Sequence, residues 1–387
     1  MRKTLIAAGL LLATPALAAC TDNATGDDAS GGDRAFTVES TDDACDVSSS
    51  QAPSGALKFE VTNAGSQVTE FYLLAADGLR IVGEVENVTP GVSRSLTVKA
   101  PPGDYYTACK PGMKGDGIRN AFTVTESEDG EKQLDASDQE LVDDALAGYK
   151  LYVREQSAQL LEKTTQFVEL YKQGKDDEAR ALYPEARTHW ERIETVAESF
   201  GDLDPKMDLR EADVEPNTEW TGWHLLEKDL WPADAVKYRA LTPEQRATYA
   251  DDLLANTKKL DTQIQDLDYT VDQLANGSRG LLEEVAAGKV TGEEEFWSHT
   301  DLWDFQANVD GARVAFEGVE PIVKKNDADL AEELTTRFDD LQVLLDAQRE
   351  GDGFKLYTDV SKADIKALSD AVNALAEPLS RLTAAVV

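Results

Sequence analysis

Between residues 36 and 125, hydrophobic positions recur at every second residue. Leu57, Phe59 and Val61 alternate with Lys58, Glu60 and Thr62, and Leu96, Val98 and Ala100 alternate with Thr97 and Lys99. Asn63-Ala64-Gly65, Asp77-Gly78 and Pro101-Pro102-Gly103 punctuate these runs. Short alternating strands between turn signals predict a small all-β sandwich. From about residue 138 the period lengthens to that of a helix, in Leu141, Ala145, Leu146, Tyr149, Tyr152, Val153 and again in Leu160, Leu161, Thr164, Phe167, Val168, Tyr171. The spacing predicts helices over 138–173, 176–200, 217–231, 243–275, 278–288, 292–324, 327–349 and 361–384, with no return to strand-like alternation. The fold expected is multidomain: a sandwich over 36–125, a polar linker over 126–137, and a larger all-α bundle over 138–387.

The first residues follow neither pattern. Met1-Arg2-Lys3, an apolar run from Leu5 to Ala18 and the break after Ala19 describe an export signal over 1–19. Leu17-Ala18-Ala19-Cys20 has the form of a bacterial lipobox, which implies cleavage before Cys20 and lipid on its sulfur. Residues 20–35 are then a small, acidic, flexible tether. The protein expected is exported, extracytoplasmic in the periplasm or at the cell surface, and held to the cell membrane through lipid alone. With Cys20 lipidated, Cys45 and Cys109 remain as a pair in an oxidising compartment, where a disulfide is the default.

Composition narrows the ligands. There are 74 acidic against 38 basic residues, a formal net charge of −36. Such a field repels nucleic-acid phosphates and anionic lipid headgroups, and it concentrates cations. An acidic polysaccharide is opposed for the same reason.

Candidate chemistry gathers around three tryptophan-flanked histidines. Each of the 3 histidines lies within two residues of a tryptophan: His189-Trp190, Trp223-His224 and Trp297-Ser298-His299. Three segments converging on one aromatic-walled cleft are expected. In Gly222-Trp223-His224-Leu225-Leu226-Glu227, His224 and Glu227 stand one helical turn apart and can share a metal ion. The plainer alternative is a buried helix with a hydrogen-bonded histidine. Glu191 and Glu194 are three apart beside Trp190, Asp208 follows on a loop, and Glu293, Glu294 and Glu295 open the predicted sixth helix, four residues before His299. Carboxylates with one imidazole suit ferric iron, manganese or calcium. Thiolates are absent there, which disfavours copper(I) and structural zinc. A zinc peptidase needs a second histidine one turn away, and Lys228 follows Glu227 instead; no Gly-x-Ser-x-Gly is present. No known catalytic template fits, so the chain is expected not to be an enzyme. The rivals are a metallopeptidase and a metal-free binding module built on the tryptophan cleft.

In the predicted sandwich, Gly103-Asp104-Tyr105-Tyr106-Thr107-Ala108-Cys109-Lys110-Pro111-Gly112-Met113 resembles the ligand loop of cupredoxin domains. A blue-copper centre needs two histidines, and none precedes His189. What remains is either a Cys45–Cys109 disulfide or a secondary site of cysteine with Glu70, Glu84 or Glu86, taking copper or zinc. In the helical part, Gly222-x-His224-x-x-Glu227 resembles the signature of the imelysin-type, peptidase-like family. So do Tyr183 to Glu194, Ala197 to Asp204 and Ser298 to Gly311. A cupredoxin-like domain before an imelysin-type domain is the order of the EfeO-type iron-uptake components, and the resemblance covers nearly all of the mature chain. It implies binding of ferrous or ferric iron, electron transfer as an accompanying role, a ferric iron permease and a haem peroxidase-like protein as partners, and no nucleic acid. Carried over by motif position, it implies Glu191, Glu194, Asp208, His224, Glu227 and Glu295 as metal ligands, and Cys45, Glu70 and Cys109 as a second site.

Overall fold

The computed structural model describes residues 34–127 and 136–387, apart from 79, 215, 217, 234 and 236. The expected signal segment, Cys20, most of the tether and the middle of the linker lie outside the described residues. Strands β1 (Ala35–Ser40), β2 (Cys45–Val47), β3 (Gln51–Pro53), β4 (Gly55–Asn63), β5 (Thr69–Leu74), β6 (Ile81–Val88), β7 (Ser93–Ala100), β8 (Gly103–Cys109) and β9 (Ile118–Thr125) form two sheets. Their orders are β2-β1-β4-β7 and β3-β9-β8-β5-β6. β1 runs parallel to β4 and β3 parallel to β9; the other pairs are antiparallel. The period-two pattern has its expected meaning. Leu57, Phe59 and Val61 face inward, where Phe36, Phe59, Phe71 and Phe122 pack ring against ring.

Cys45 on β2 and Cys109 at the end of β8 are joined as a disulfide, with Cα atoms 5.4 Å apart. Both sulfurs are consumed in that bond, so the reading of a copper or zinc site on these cysteines is set aside. Glu70 is buried beside them, accepting a hydrogen bond from the Tyr72 hydroxyl at 2.5 Å and facing the Lys110 ammonium at 3.6 Å. It is satisfied by protein groups. Replacing both cysteines with serine is expected to lower sandwich stability by about 2–4 kcal/mol, read by denaturant unfolding, and to leave cation affinity unchanged.

The helical part comprises α1 (Ala136–Lys172), α2 (Asp176–Glu191), α3 (Leu203–Asp208), α4 (Trp223–Leu230), α5 (Pro243–Asp266), α6 (Val271–Ala287), α7 (Asp301–Asn326), α8 (Ala328–Asp346), α9 (Lys362–Leu379) and α10 (Leu382–Val386). A two-strand hairpin, β10 (Arg349–Glu350) with β11 (Gly353–Phe354), interrupts the helical run where no strand was expected. Several predicted helices needed correction: the one expected over 217–231 begins only at Trp223, 278–288 is the latter part of α6, and 361–384 divides into α9 and α10. The 243–275 segment divides because Thr270 and Gln273 form a capping box that starts a new helix. The 176–200 helix stops at Glu191 and continues as a 3-10 turn over Glu194–Phe200. The helix expected from 292 begins only at Asp301, for reasons that lie in the site itself.

The two domains meet where α6 covers two sheet edges. β7 and β6 are edge strands with unpaired backbone groups. Asp272 accepts the Lys99 N–H at 2.8 Å, Asn276 donates to the Thr97 carbonyl at 2.8 Å, and Arg279 donates to the carbonyls of Ser95 and Glu84, both at 3.0 Å. Beside this contact a cleft of about 390 Å³ opens, lined by Glu86, Asn87 and Met113 of the sandwich and by Glu194, Asp208, Lys289 and Glu294 of the helical domain.

Candidate metal centre

The centre begins with a glycine. Gly222 precedes α4 with φ +90°, and a Cβ there would lie 2.2 Å from the Met207 carbonyl oxygen. Only glycine permits so close an approach of α4 to α3. The approach brings His224, on the first turn of α4, beside Asp208, the last residue of α3. Trp223, Leu226 and Leu230 fix α4 in the core, with Trp223 packed on Phe167 and Tyr183.

Glu227, one turn beyond His224, is fully buried. One of its oxygens accepts the backbone N–H groups of Trp297 and Ser298, at 2.8 and 2.7 Å. Those amides therefore serve a carboxylate instead of a helical carbonyl, and the 293–300 segment is a loop although its glutamates are good helix formers. Glu295 donates its backbone N–H to Asp301, which opens α7. The loop delivers Glu294 and Glu295 into the protein while Glu293 stays exposed.

Among the described residues, two sets of three potential ligands share His224: Asp208, His224 and Glu294, and His224, Glu227 and Glu295, with donor atoms within 4.8 Å in each set. They differ in how much lone-pair capacity is free. Glu227 holds two amides and lies 3.3 Å from His224 Nδ1. Glu295 accepts from the Tyr183 hydroxyl at 3.2 Å, the Ser298 hydroxyl at 2.9 Å and Arg187 Nε at 2.5 Å. In contrast, the ion pairs of Glu294 are all long: 3.7 Å to Arg187, 3.7 Å to Arg210, 3.7 Å to His224 Nε2 and 3.8 Å to Lys289. His224 Nε2 is buried without a hydrogen-bond partner and points between Asp208 at 3.5 Å and Glu294 at 3.7 Å. Asp208 and Glu294 also line the cleft.

Glu191 and Glu194 are brought together in the same cluster, but outside the two ligand sets of His224. Lys289 Nζ lies 2.8 Å from Glu191 and 2.7 Å from Glu194, and the Asn308 amide donates to both. The sequence reading missed the two cations at the heart of the cluster. Arg187, fully buried on α2, pairs with Glu191, Asp208 and Glu295 and reaches Asp304 at 3.4 Å. Its position was legible: Tyr183, Ala186, Arg187, Trp190 and Glu191 share one face of α2. Lys289, on a short turn, carries no such pattern.

The three tryptophan-flanked segments meet at the cluster, through Trp190, Glu227 and the Trp297–Ser298 amides, but of the three histidines only His224 faces it. His189 bonds Gln156 of α1 at 2.8 Å, and His299 sits half-buried in the loop with φ +59°. Trp190 contributes directly, donating its indole N–H to Asp208 at 2.8 Å. Trp223 packs behind the histidine, whereas Trp303 packs on Phe354, away from the centre.

Burial and the Arg187 guanidinium pull the His224 pKa down. Glu227, the facing Glu294 carboxylate and Asp208 outweigh them and push it up to about 9. Burial likewise raises Glu295, reinforced by Glu227, and raises Glu194, reinforced by Glu191. For Glu294, burial is overcome by Lys289 and His224, which hold it well below the usual carboxylate range. An anionic Glu294 beside a buried imidazole whose Nε2 is open is a donor set for a hard or borderline cation.

Comparison with known proteins agrees with this architecture. Residues 145–382 match the family model described as Imelysin (Peptidase_M75). The chain belongs to the imelysin family. It is 34% identical over 350 residues to the iron uptake system component EfeO of Escherichia coli O157:H7, covering 89% of each chain. It is 41% identical over 278 residues to an Efem/EfeO family lipoprotein of Staphylococcus haemolyticus, covering 71% of this chain and 93% of that one. A solved structure of a protein described as an iron-regulated protein A precursor, from Parabacteroides distasonis, shares the helical fold. It aligns with a TM-score of 0.50 at 15% identity over 63% of this chain and 95% of its own. The 350-residue match to the Escherichia coli relative is longer than the helical domain and so extends into the sandwich, and the matched family region, 145–382, contains Gly222, His224 and Glu227.

Proposed function

We propose that this protein is an extracytoplasmic iron-binding component of an iron-uptake system, capturing the ion at His224 and passing it to a membrane permease. Two observations of different kind support this reading: the iron-uptake relatives, and the His224 Nε2 atom, buried, unpartnered and aimed between two carboxylates. Asp208, His224 and Glu294 are the ligands assigned. Glu227 and Glu295 hold the imidazole and the loop in place, in the manner of the carboxylates that orient metal-bound histidines. Glu191, fully buried, and Glu194, on the cleft wall, neutralise Lys289. A lipid on Cys20 would tether the protein to the membrane, and among the described residues no helix is long and apolar enough to cross one. The cupredoxin-like sandwich roofs the cleft. Electron transfer through a copper–thiolate centre is not part of the reading, because Cys45 and Cys109 are bonded to each other. A ferric iron permease and a haem peroxidase-like protein are the partners that such a system would supply.

Calorimetric titration of the full chain with ferrous and ferric iron, copper, zinc and calcium tests the reading, and its pH dependence identifies the atom. With a pKa of about 9, the His224 ring is protonated at neutral pH. A metal ion at Nε2 must displace that proton. One ion is expected to bind with release of about one proton, and affinity should rise about tenfold per pH unit from pH 6.5 to 9, then level off. In the metal-free protein the sign is opposite. The raised pKa contributes stability that is complete below about 6.5 and is lost as pH rises through about 9. No iron binding, or binding insensitive to pH across this range, rejects the assignment.

A further inference from the structure

The two buried cations of the acidic cluster are built differently. Arg187 lies in mid-helix with its planar fork shared among several carboxylates, and it is fully buried. Lys289 begins a three-residue 3-10 turn, Lys289–Thr291, between Gly288 and Gly292, and it borders the cleft. Its ammonium bridges Glu191 and Glu194 and faces Glu294 Oε1 at 3.8 Å, the same oxygen that faces His224 Nε2 at 3.7 Å. The ammonium thus stands beside the ligand oxygen, and Lys289 lines the same cleft as Asp208 and Glu294. A four-carbon stem with a compact point charge can swing, whereas a guanidinium fork held at several points cannot.

We propose that Lys289 is a specificity-determining gate, a tethered cation that holds the cluster carboxylates until an incoming ion replaces it. This deepens the reading of His224 as a metal centre and depends on it. In the metal-free protein Lys289 offsets the repulsion among Glu191, Glu194 and Glu294. An entering ion of charge two or more takes over Glu294, and Lys289 turns into the cleft toward Glu86 and Glu284, acidic residues on its walls. Exchange of one ammonium for a monovalent ion gains no charge, so sodium and potassium are excluded. Exchange for a divalent or trivalent ion gains one or two. The exchange therefore adds less charge to the cluster than the ion itself carries.

The experiment has two arms, both on the full chain, with manganese(II) as an air-stable probe. Lysine acylation read by mass spectrometry is expected to find Lys289 protected in the metal-free protein and at least fivefold more reactive with manganese bound, while 100 mM sodium has no effect. Lys289→Met is expected to bind manganese at least tenfold more tightly than the parent. It should also show a larger manganese-induced rise in Tm, because the competing cation is gone and the metal-free state is less stable. A purely structural lysine would give weaker or unchanged affinity and an equal or smaller rise. If Lys289→Met does not fold, the labelling arm decides. Manganese binding by the parent with no rise in Lys289 labelling overturns the gate and leaves the His224 centre standing. No manganese binding by the parent overturns both.

Discussion

Replacing Arg187 with methionine is expected to cost the helical domain about 3–5 kcal/mol, the loss seen when one partner of a buried ion pair is removed. The side chain is fully buried and pairs with Glu191, Asp208 and Glu295, with Glu294 and Asp304 at 3.7 and 3.4 Å. Methionine matches much of its volume, so the loss reports charge and not a cavity. The carboxylates left behind can escape only by taking up protons. Burial already raises the pKa of Glu295 and Asp304. Groups whose folded pKa is raised lose stability as pH rises, so the deficit should be smaller at pH 5.5 than at pH 8. Arg187→Lys is not expected to rescue, because one ammonium cannot reproduce a fork that reaches several carboxylates. Denaturant unfolding at the two pH values is the measurement. A loss below about 1 kcal/mol, the size of an exposed pair, would mean that the cluster does not depend on this residue.

His224→Ala is expected to weaken iron binding by at least tenfold, the usual consequence of losing one protein ligand or its support. Glu227→Ala is a different experiment despite the shared signature. It orphans the Trp297 and Ser298 amides and the His224 ring together, at about 1–3 kcal/mol for each unsatisfied buried group. The two variants thus separate the proposed ligand from its proposed support. His224→Ala should lose affinity while the 293–300 loop keeps its form, whereas Glu227→Ala should lose affinity and lower Tm by several degrees. Titration calorimetry beside thermal unfolding distinguishes them. A His224→Ala protein with the parent's affinity would move the ion elsewhere.

The sandwich and most helices were legible because each buries one face, and alternation at two or at 3.6 residues records that face directly. His224 and Glu227 were legible because both lie on one short helix, where spacing in sequence is spacing in space. Glu294 was not separable from its neighbours, since three consecutive glutamates differ only in how a loop turns. That loop is set by Glu227 capturing two amides 70 and 71 residues away, a long-range contact with no local trace. The three histidine–tryptophan pairs marked the converging segments but not the role of each histidine: His189 bonds Gln156 of α1, and His299 is held by its carbonyl, which accepts the Tyr357 N–H. Lys289 escaped notice because a lysine on a polar turn reads as solvated until the fold encloses it.

Binding of a cation at His224 Nε2, between Asp208 and Glu294, is decided by anomalous scattering at the iron absorption edge, from crystals of the full chain grown with iron. One strong peak is expected in bonding contact with His224 Nε2 and with carboxylate oxygens of Asp208 and Glu294, and Lys289 turned away from Glu194. A peak on the sandwich, or on Glu191 and Glu194 with His224 unengaged, would contradict it.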